Sequence, residues 1–283
     1  MTKTVDEIDF IRLALKEDIG KGDITARALS LKGIRGEAEV VAKDSGIISG
    51  IDPFCRVFRE LSRSISFRIY KKDGRSVKAG DRIIALDGAL DILLMGERTA
   101  MNILSHLSGV ATLTRRFVDA IRDSGAKILD TRKTMPGMRL WEKKAVAHGG
   151  ATNHRFGLYD MYLIKENHIA AAGGLEAAMK AALVHRKRTG AKLEIEVKNL
   201  DELRIVLAYT PDYILLDNFT IPMIKKGVAL VRAAERSLVL EASGNVTLDN
   251  VARIAATGVD RISVGAITHS APALDLSFRV LDR

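Results

Sequence analysis

The sequence predicts an α/β protein in which an incomplete parallel α/β barrel follows a smaller α+β region, and three observations carry that reading. After Gly125 six apolar runs recur, AKILDTR, MYLIK, KLEIEVK, YILLDN, LVLEAS and RISVG, each followed by a helical or loop segment. Such alternation of strand and helix marks a parallel sheet. A complete eight-stranded barrel takes about 250 residues, more than remain after Gly125, so the barrel is expected to be incomplete. Upstream, from Arg35 to Gly96, the segments GEAEVVAK, SGIISG, ISFRIYKK and DRIIALDGALDILL are short, β-rich and broken by D-G, S-G and A-G turns. That pattern predicts an antiparallel sheet.

Each element has its own signal. Residues 4 to 16 place Val5, Ile8, Phe10, Ile11, Leu13 and Leu15 at mostly helical spacing. The stretch DPFCRVFREL also reads as helical and contains Cys55, which is expected to be structural. GERTAMNILSHLSGVATLTRRFVDAIRDSG predicts a long helix with Met101, Leu104, Leu107, Ala111 and Val118 on its apolar side, ended by Ser124-Gly125. The tail alternates Leu274, Leu276, Phe278 and Val280, which predicts one more strand returning to the N-terminal sheet. The expected domains are therefore 1–115, joined by the strand in 272–283, and a barrel over 116–271.

Composition narrows the function. The 283 residues are 47% hydrophobic and 28% charged with mean hydropathy +0.06, the values of a globular chain. No apolar run approaches the roughly 20 residues of a membrane span, and the N-terminus lacks a secretory apolar core; a cytoplasmic protein with no membrane partner is expected. The single cysteine excludes an internal disulfide and a cysteine-built zinc site. Lys plus Arg exceed Asp plus Glu by 44 to 35, so anionic partners are favoured. With aromatics at 5% and the basic residues spread along the chain, a polyanionic metabolite is expected rather than nucleic acid. HExxH, G-x-S-x-G, Walker A and G-x-G-x-x-G motifs are all missing.

Chemistry in parallel barrels gathers at the carboxyl ends of the strands, and here those ends are polar. The first run closes on Asp130, Thr131, Arg132 and Lys133, the second on Lys165, Glu166, Asn167 and His168, and the third carries Glu194 and Glu196. The fourth ends in Asp217 and Asn218, the fifth in Glu241, Ser243, Gly244 and Asn245, and the sixth in Gly265 and Ala266. Arg132, Lys133, His154, Arg155 and Lys165 form a cationic set suited to carboxylates. Small residues after the last two strands suit a phosphate. Glu196 and Asp217 could hold ribose hydroxyls or a Mg²⁺ riding on pyrophosphate, or only neutralise Lys133 and Lys165. Glu194 shares the parity of Glu196, so both point to one side of their strand.

The blocks EDIGKGDITARAL, GERTAMNILSHLSGVATLTRRF, LDTRKTMPGMRLWEKKAVAHGGATNHRFGLYDMYLIKENHI, EIEV, ILLDNF, LEASGN and ISVGAITHSAPALDLSF resemble the quinolinate phosphoribosyltransferase family in order along nearly the whole chain. T-R-K-x-x-P-G joined to N-H-R-x-G-L-x-D-x-x-L-I-K is the most specific part. The resemblance implies an N-terminal open-faced sandwich, a partial α/β barrel, and conversion of quinolinate and phosphoribosyl pyrophosphate to nicotinate mononucleotide, pyrophosphate and CO₂ with Mg²⁺, in NAD biosynthesis. It also implies roles. Arg132, Lys133, His154 and Arg155 would bind the quinolinate carboxylates beside Thr131, and Lys165 would sit between the substrates. Glu196 and Asp217 would face ribose and magnesium, and Ser243, Gly244, Asn245, Gly265 and Ala266 would cradle the 5′-phosphate. Arg98 would reach the neighbouring subunit's site in a homodimer. Met135, Trp141 and Asn245 depart from the family pattern; the first two are expected to touch the pocket wall, and Asn245 to replace a glycine while tolerating positive φ. A Schiff-base lyase using Lys165 and a non-catalytic phosphometabolite-binding protein are the competing readings.

Overall fold

A computed structural model describes residues 7–234 and 238–281. Residues 4–6 of the expected first helix lie outside it. The chain divides into two compact units, one built from residues up to Arg115 with Met135–Gly150 and the stretch from Ala271, the other from Arg116–Thr134 and Ala151–Ser270.

In the first unit α1 (Glu7–Ile19) and α2 (Ile24–Ala28) precede β1 (Arg35–Ala42), the short β2 (Gly46–Ile47), α3 (Ile51–Leu61), β3 (Ser66–Ile69), β4 (Ser76–Val77) and β5 (Arg82–Ala89). Asp23 caps α2 by accepting the Thr25 and Ala26 amides. The sheet is antiparallel in the order β12-β1-β5-β3, where β12 (Leu276–Val280) pairs with β1 as Ala38↔Val280 through Ala42↔Leu276. One face is apolar: Ala38, Val40, Ile84 and Leu86 are buried, and Phe58 of α3 stacks on Phe278 at 6.3 Å. The other face is polar, with Arg82 ion-paired to Glu39 at 2.6 Å and lying over the Tyr70 ring. A sheet covered on one side only is an open-faced sandwich. Cys55 is buried in this core, which pushes its thiol up to about 12.

The long helix α4 (Leu90–Ala120) starts earlier than the sequence suggests, because the run ALDILL, read as strand, supplies its first turn. Short apolar runs do not declare their period. It also stops at Ala120, with Ser124 closing a following turn through a bond from its hydroxyl to the Ile121 carbonyl.

The second unit holds β6 (Lys127–Leu129). After an excursion through α5 (Arg139–Gly149), which groups with the first unit rather than with the barrel, the chain forms β7 (Tyr162–Ile164), α6 (Glu166–Ala171), α7 (Leu175–Thr189), β8 (Leu193–Val197), α8 (Leu200–Val206) and β9 (Tyr213–Asp217). Then follow α9 (Ile221–Ala233), β10 (Val239–Ser243), α10 (Leu248–Ala255), β11 (Arg261–Ser263) and α11 (Ala266–His269). The six strands are parallel in the order β6-β11-β10-β9-β8-β7. β6 and β7 are its edges, and outside the named strands Thr152 forms a parallel bridge with Leu129 of β6. In β8 every residue is buried: Leu193, Ile195 and Val197 on one side, Glu194 and Glu196 on the other. No helix among the described residues is long and apolar enough to cross a membrane.

Candidate active site

At the carboxyl ends of the parallel strands opens a pocket of about 810 Å³. Each wall follows from strand parity: Leu163 and Lys165, Leu215 and Asp217, Glu241 and Ser243, and Ser263 and Gly265 are pairs two residues apart on four strands, all facing inward. Among the predicted residues, Thr131, Arg132, Lys133, His154, Arg155, Lys165, Asp217, Ser243, Gly244, Asn245, Gly265 and Ala266 line this one cavity. Two do not. Glu196 is buried beneath Lys165, its Oε2 2.9 Å from the ammonium, and Arg98 is an exposed residue of the first unit in a separate cleft of about 220 Å³ with Glu17, Asp18 and His106.

On the cationic side, the Thr131 hydroxyl accepts the Lys133 amide at 3.0 Å, and the Thr268 hydroxyl donates to the Lys133 carbonyl at 2.8 Å, shaping the turn after β6. Arg155 donates through Nη1 to the Met161 carbonyl at 3.1 Å, while its Nε is buried with no hydrogen-bond partner among the described residues. Burial, followed by the nearby Arg132 guanidinium, lowers its pKa. A desolvated guanidinium beside another is a site held ready for an anion.

His154 is engaged at three points. Its amide donates to Asp130 Oδ1 at 2.7 Å, its Nδ1 accepts the Arg155 amide at 2.7 Å, and its Nε2 lies 3.0 Å from Glu194 Oε2 and 3.5 Å from Glu241 Oε1. Both glutamates are fully buried. Burial acts to lower the imidazole pKa, but the two carboxylates outweigh it and push it up to about 9. Glu194 is also shifted upward, by burial and then by Glu241. Since Nδ1 accepts the Arg155 amide, the neutral ring carries its own proton on Nε2, facing the two carboxylates.

On the opposite side, Gly244 has φ +98, and a Cβ there would fall 2.1 Å from Asn218 Oδ1, so only glycine fits. Asn218 and Asn245 adopt left-handed conformations at φ 54 and 48, with Asn245 Nδ2 donating to Asn218 Oδ1 at 3.4 Å. Asp217 accepts from Asn218 Nδ2 at 2.8 Å, and burial, then Glu196, raises its pKa. Met135 is exposed, and Trp141 is buried edge-on against Phe10 within the first unit; neither lines the pocket, contrary to the expectation from sequence. Glu241, Asn218 and His269 do line it; the in-facing parity of β10 was the available signal for Glu241.

The model of the quinolinate phosphoribosyl transferase N-terminal domain matches residues 23–108, and that of the C-terminal domain residues 110–279. The chain is 42% identical over 94% of its length to a probable nicotinate-nucleotide pyrophosphorylase [carboxylating] of Synechocystis sp., covering 90% of that protein. It is 41% identical over 95% of both chains to the nicotinate-nucleotide pyrophosphorylase [carboxylating] of Mycobacterium leprae. The solved nicotinate-nucleotide pyrophosphorylase of Francisella tularensis superposes with a TM-score of 0.89 at 40% identity, covering 98% of this chain and 97% of that one.

Proposed function

The chain belongs to the quinolinate phosphoribosyl transferase family and is a phosphoribosyltransferase of the carboxylating type, and on that premise we propose how its rim residues divide the work. The substrates are quinolinate and phosphoribosyl pyrophosphate. The products are nicotinate mononucleotide, pyrophosphate and CO₂. The observation that carries the division is the pocket's polarity: desolvated guanidinium on one side, a glycine-asparagine loop on the other, and carboxylates between.

Arg132, Lys133 and Arg155 take the two quinolinate carboxylates; the buried, unpartnered Nε of Arg155 supports this. Ser243, Gly244, Asn245, Gly265 and Ala266 take the 5′-phosphate through backbone amides at the ends of β10 and β11. That arrangement directs the ring nitrogen toward the anomeric carbon, and the site works largely by positioning. Departure of pyrophosphate leaves positive charge on the ribose, which the half-buried Asp217 stabilises; Lys165, held by Glu196, offsets charge between the substrates. Loss of CO₂ needs no protein nucleophile.

Mg²⁺ fits this residue set. Asp217 is an oxygen donor facing the pocket whose pKa is raised by burial and Glu196, so a cation is welcome there, and a substrate-borne Mg²⁺ needs only one or two carboxylates. Glu196, already paired with Lys165, is the lesser donor. When bound, the ion would neutralise the leaving pyrophosphate. Arg98, exposed in the first unit, is assigned to the neighbouring subunit's site in a homodimer, and the cytoplasm is the proposed location.

The test is release of pyrophosphate and nicotinate mononucleotide from purified protein given quinolinate, phosphoribosyl pyrophosphate and Mg²⁺. Turnover with quinolinate and none with nicotinate is expected; silence with both from a folded dimer would return the case to a non-catalytic binding protein.

A further inference from the structure

The barrel interior contains a physical oddity. Glu194 and Glu241 are fully buried beneath a pocket that must hold anions, and apart from the His154 imidazole none of their four oxygens meets a hydrogen-bond donor among the described residues. Buried carboxylates short of donors cost stability, and carboxylates under an anion site repel its ligands. A fold that keeps two of them gains something specific. The group they share points to what: His154 Nε2 lies between them, and its Nδ1 receives the backbone N–H of Arg155.

The same imidazole is tied to a third strand, because the His154 amide donates to the fully buried Asp130 at the end of β6. Strands β6, β8 and β10 thus hold one residue of a loop that otherwise crosses the open edge of the barrel. Both ring nitrogens are occupied by protein groups, so the imidazole has no donor left for a substrate carboxylate. What it does have is the position of Arg155.

We propose that Glu194 and Glu241 are positioning residues for the phosphoribosyl transfer: they lock the His154 ring with its proton on Nε2, which fixes the Arg155 amide on Nδ1 and presents the Arg155 guanidinium in the pocket before quinolinate arrives. The inference rests on quinolinate being the substrate and gives His154 a role behind Arg155 rather than on the ligand. A preformed guanidinium spares the ordering cost that a mobile one would meet on binding.

The experiment compares Glu194→Leu and Glu241→Leu, which keep volume and remove the acceptor, with Glu194→Gln and Glu241→Gln, which keep an acceptor. Either Leu variant is expected to raise the quinolinate KM at least tenfold, with the phosphoribosyl pyrophosphate KM within twofold of wild type, and the Gln variants to recover most of the loss. Above pH 9, imidazole ¹⁵N spectra of the ligand-free protein should show the neutral His154 ring protonated on Nε2 alone, and that signature should disappear in the Leu variants. Should a Leu variant not fold, the double Gln variant, with both charges gone, is expected to show a three- to tenfold rise in the quinolinate KM alone. A folded Leu variant with unchanged quinolinate KM, both KM values moving together, a neutral His154 ring protonated on Nδ1, or one divalent ion per chain held by these three side chains would each overturn the proposal. A wild-type protein that ignores quinolinate but shows the Nε2–H ring overturns the functional reading and leaves the network standing.

Discussion

Each unit of the molecule buries a glutamate against a histidine, and the two contacts are built differently. In the first unit His106 Nε2 meets Glu142 Oε1 at 2.7 Å, and the same carboxylate accepts the Met135 amide at 3.2 Å. Glu142 is satisfied, its histidine is partly exposed, and the pair ties two helices together. In the barrel two buried carboxylates share one imidazole and find no other donor among the described residues. One arrangement closes its hydrogen bonds and serves the fold. The other leaves acceptors in excess and extends through His154 to Arg155, which is the pattern expected where pKa values are shifted for function.

Substitutions separate the two regions. The largest effect belongs to the pocket cations: Arg155→Ala or Arg132→Ala should lose about 2 to 5 kcal/mol of quinolinate interaction, because a ligand carboxylate is left buried and unpaired. Calorimetric titration measures it, and unchanged affinity would refute the assignment. The barrel cluster should next show in the pH dependence of stability. The His154 pKa of about 9 exceeds the ~6.5 of an unfolded histidine, so the contribution is fully present below pH ~6.5 and is lost as pH rises through about 9. The size is up to about 3 kcal/mol. Urea midpoints between pH 6 and 10 should fall in wild type and flatten in Glu194→Gln.

Most of the pocket is legible in the sequence, because Arg132, Lys133, Lys165, Asp217 and Ser243, the polar residues at the strand ends, all line it. Depth was not legible. Glu194 and Glu196 share a face but stand about 7 Å apart along the strand, and nothing local says that the upper one meets Lys165 while the lower one meets His154. That choice is made by β7, by β10 and by the loop after α5. The grouping of Arg139–Gly149 with the first unit was hidden for the same reason: the packing of Trp141 on Phe10 is a long-range contact that periodicity cannot foresee.

Smaller effects sharpen the contrast. Gly244→Ala forces a Cβ against Asn218 Oδ1 at φ +98; a cost of about 1 to 3 kcal/mol should appear as a raised phosphoribosyl pyrophosphate KM with little change for quinolinate. Glu142→Gln keeps an acceptor for the Met135 amide. It should lower stability by about 1 kcal/mol, read from thermal melting, and leave both KM values within twofold of wild type.

In the proposed division of work, the barrel rim reads two carboxylates through a guanidinium set in place beforehand. Calorimetric titration of the wild-type protein with quinolinate and with nicotinate, which lacks one carboxylate, tests it most directly. Quinolinate should bind at least a hundredfold more tightly, and Arg155→Ala should erase most of that difference. Equal affinity for the two acids in the wild-type protein would contradict it.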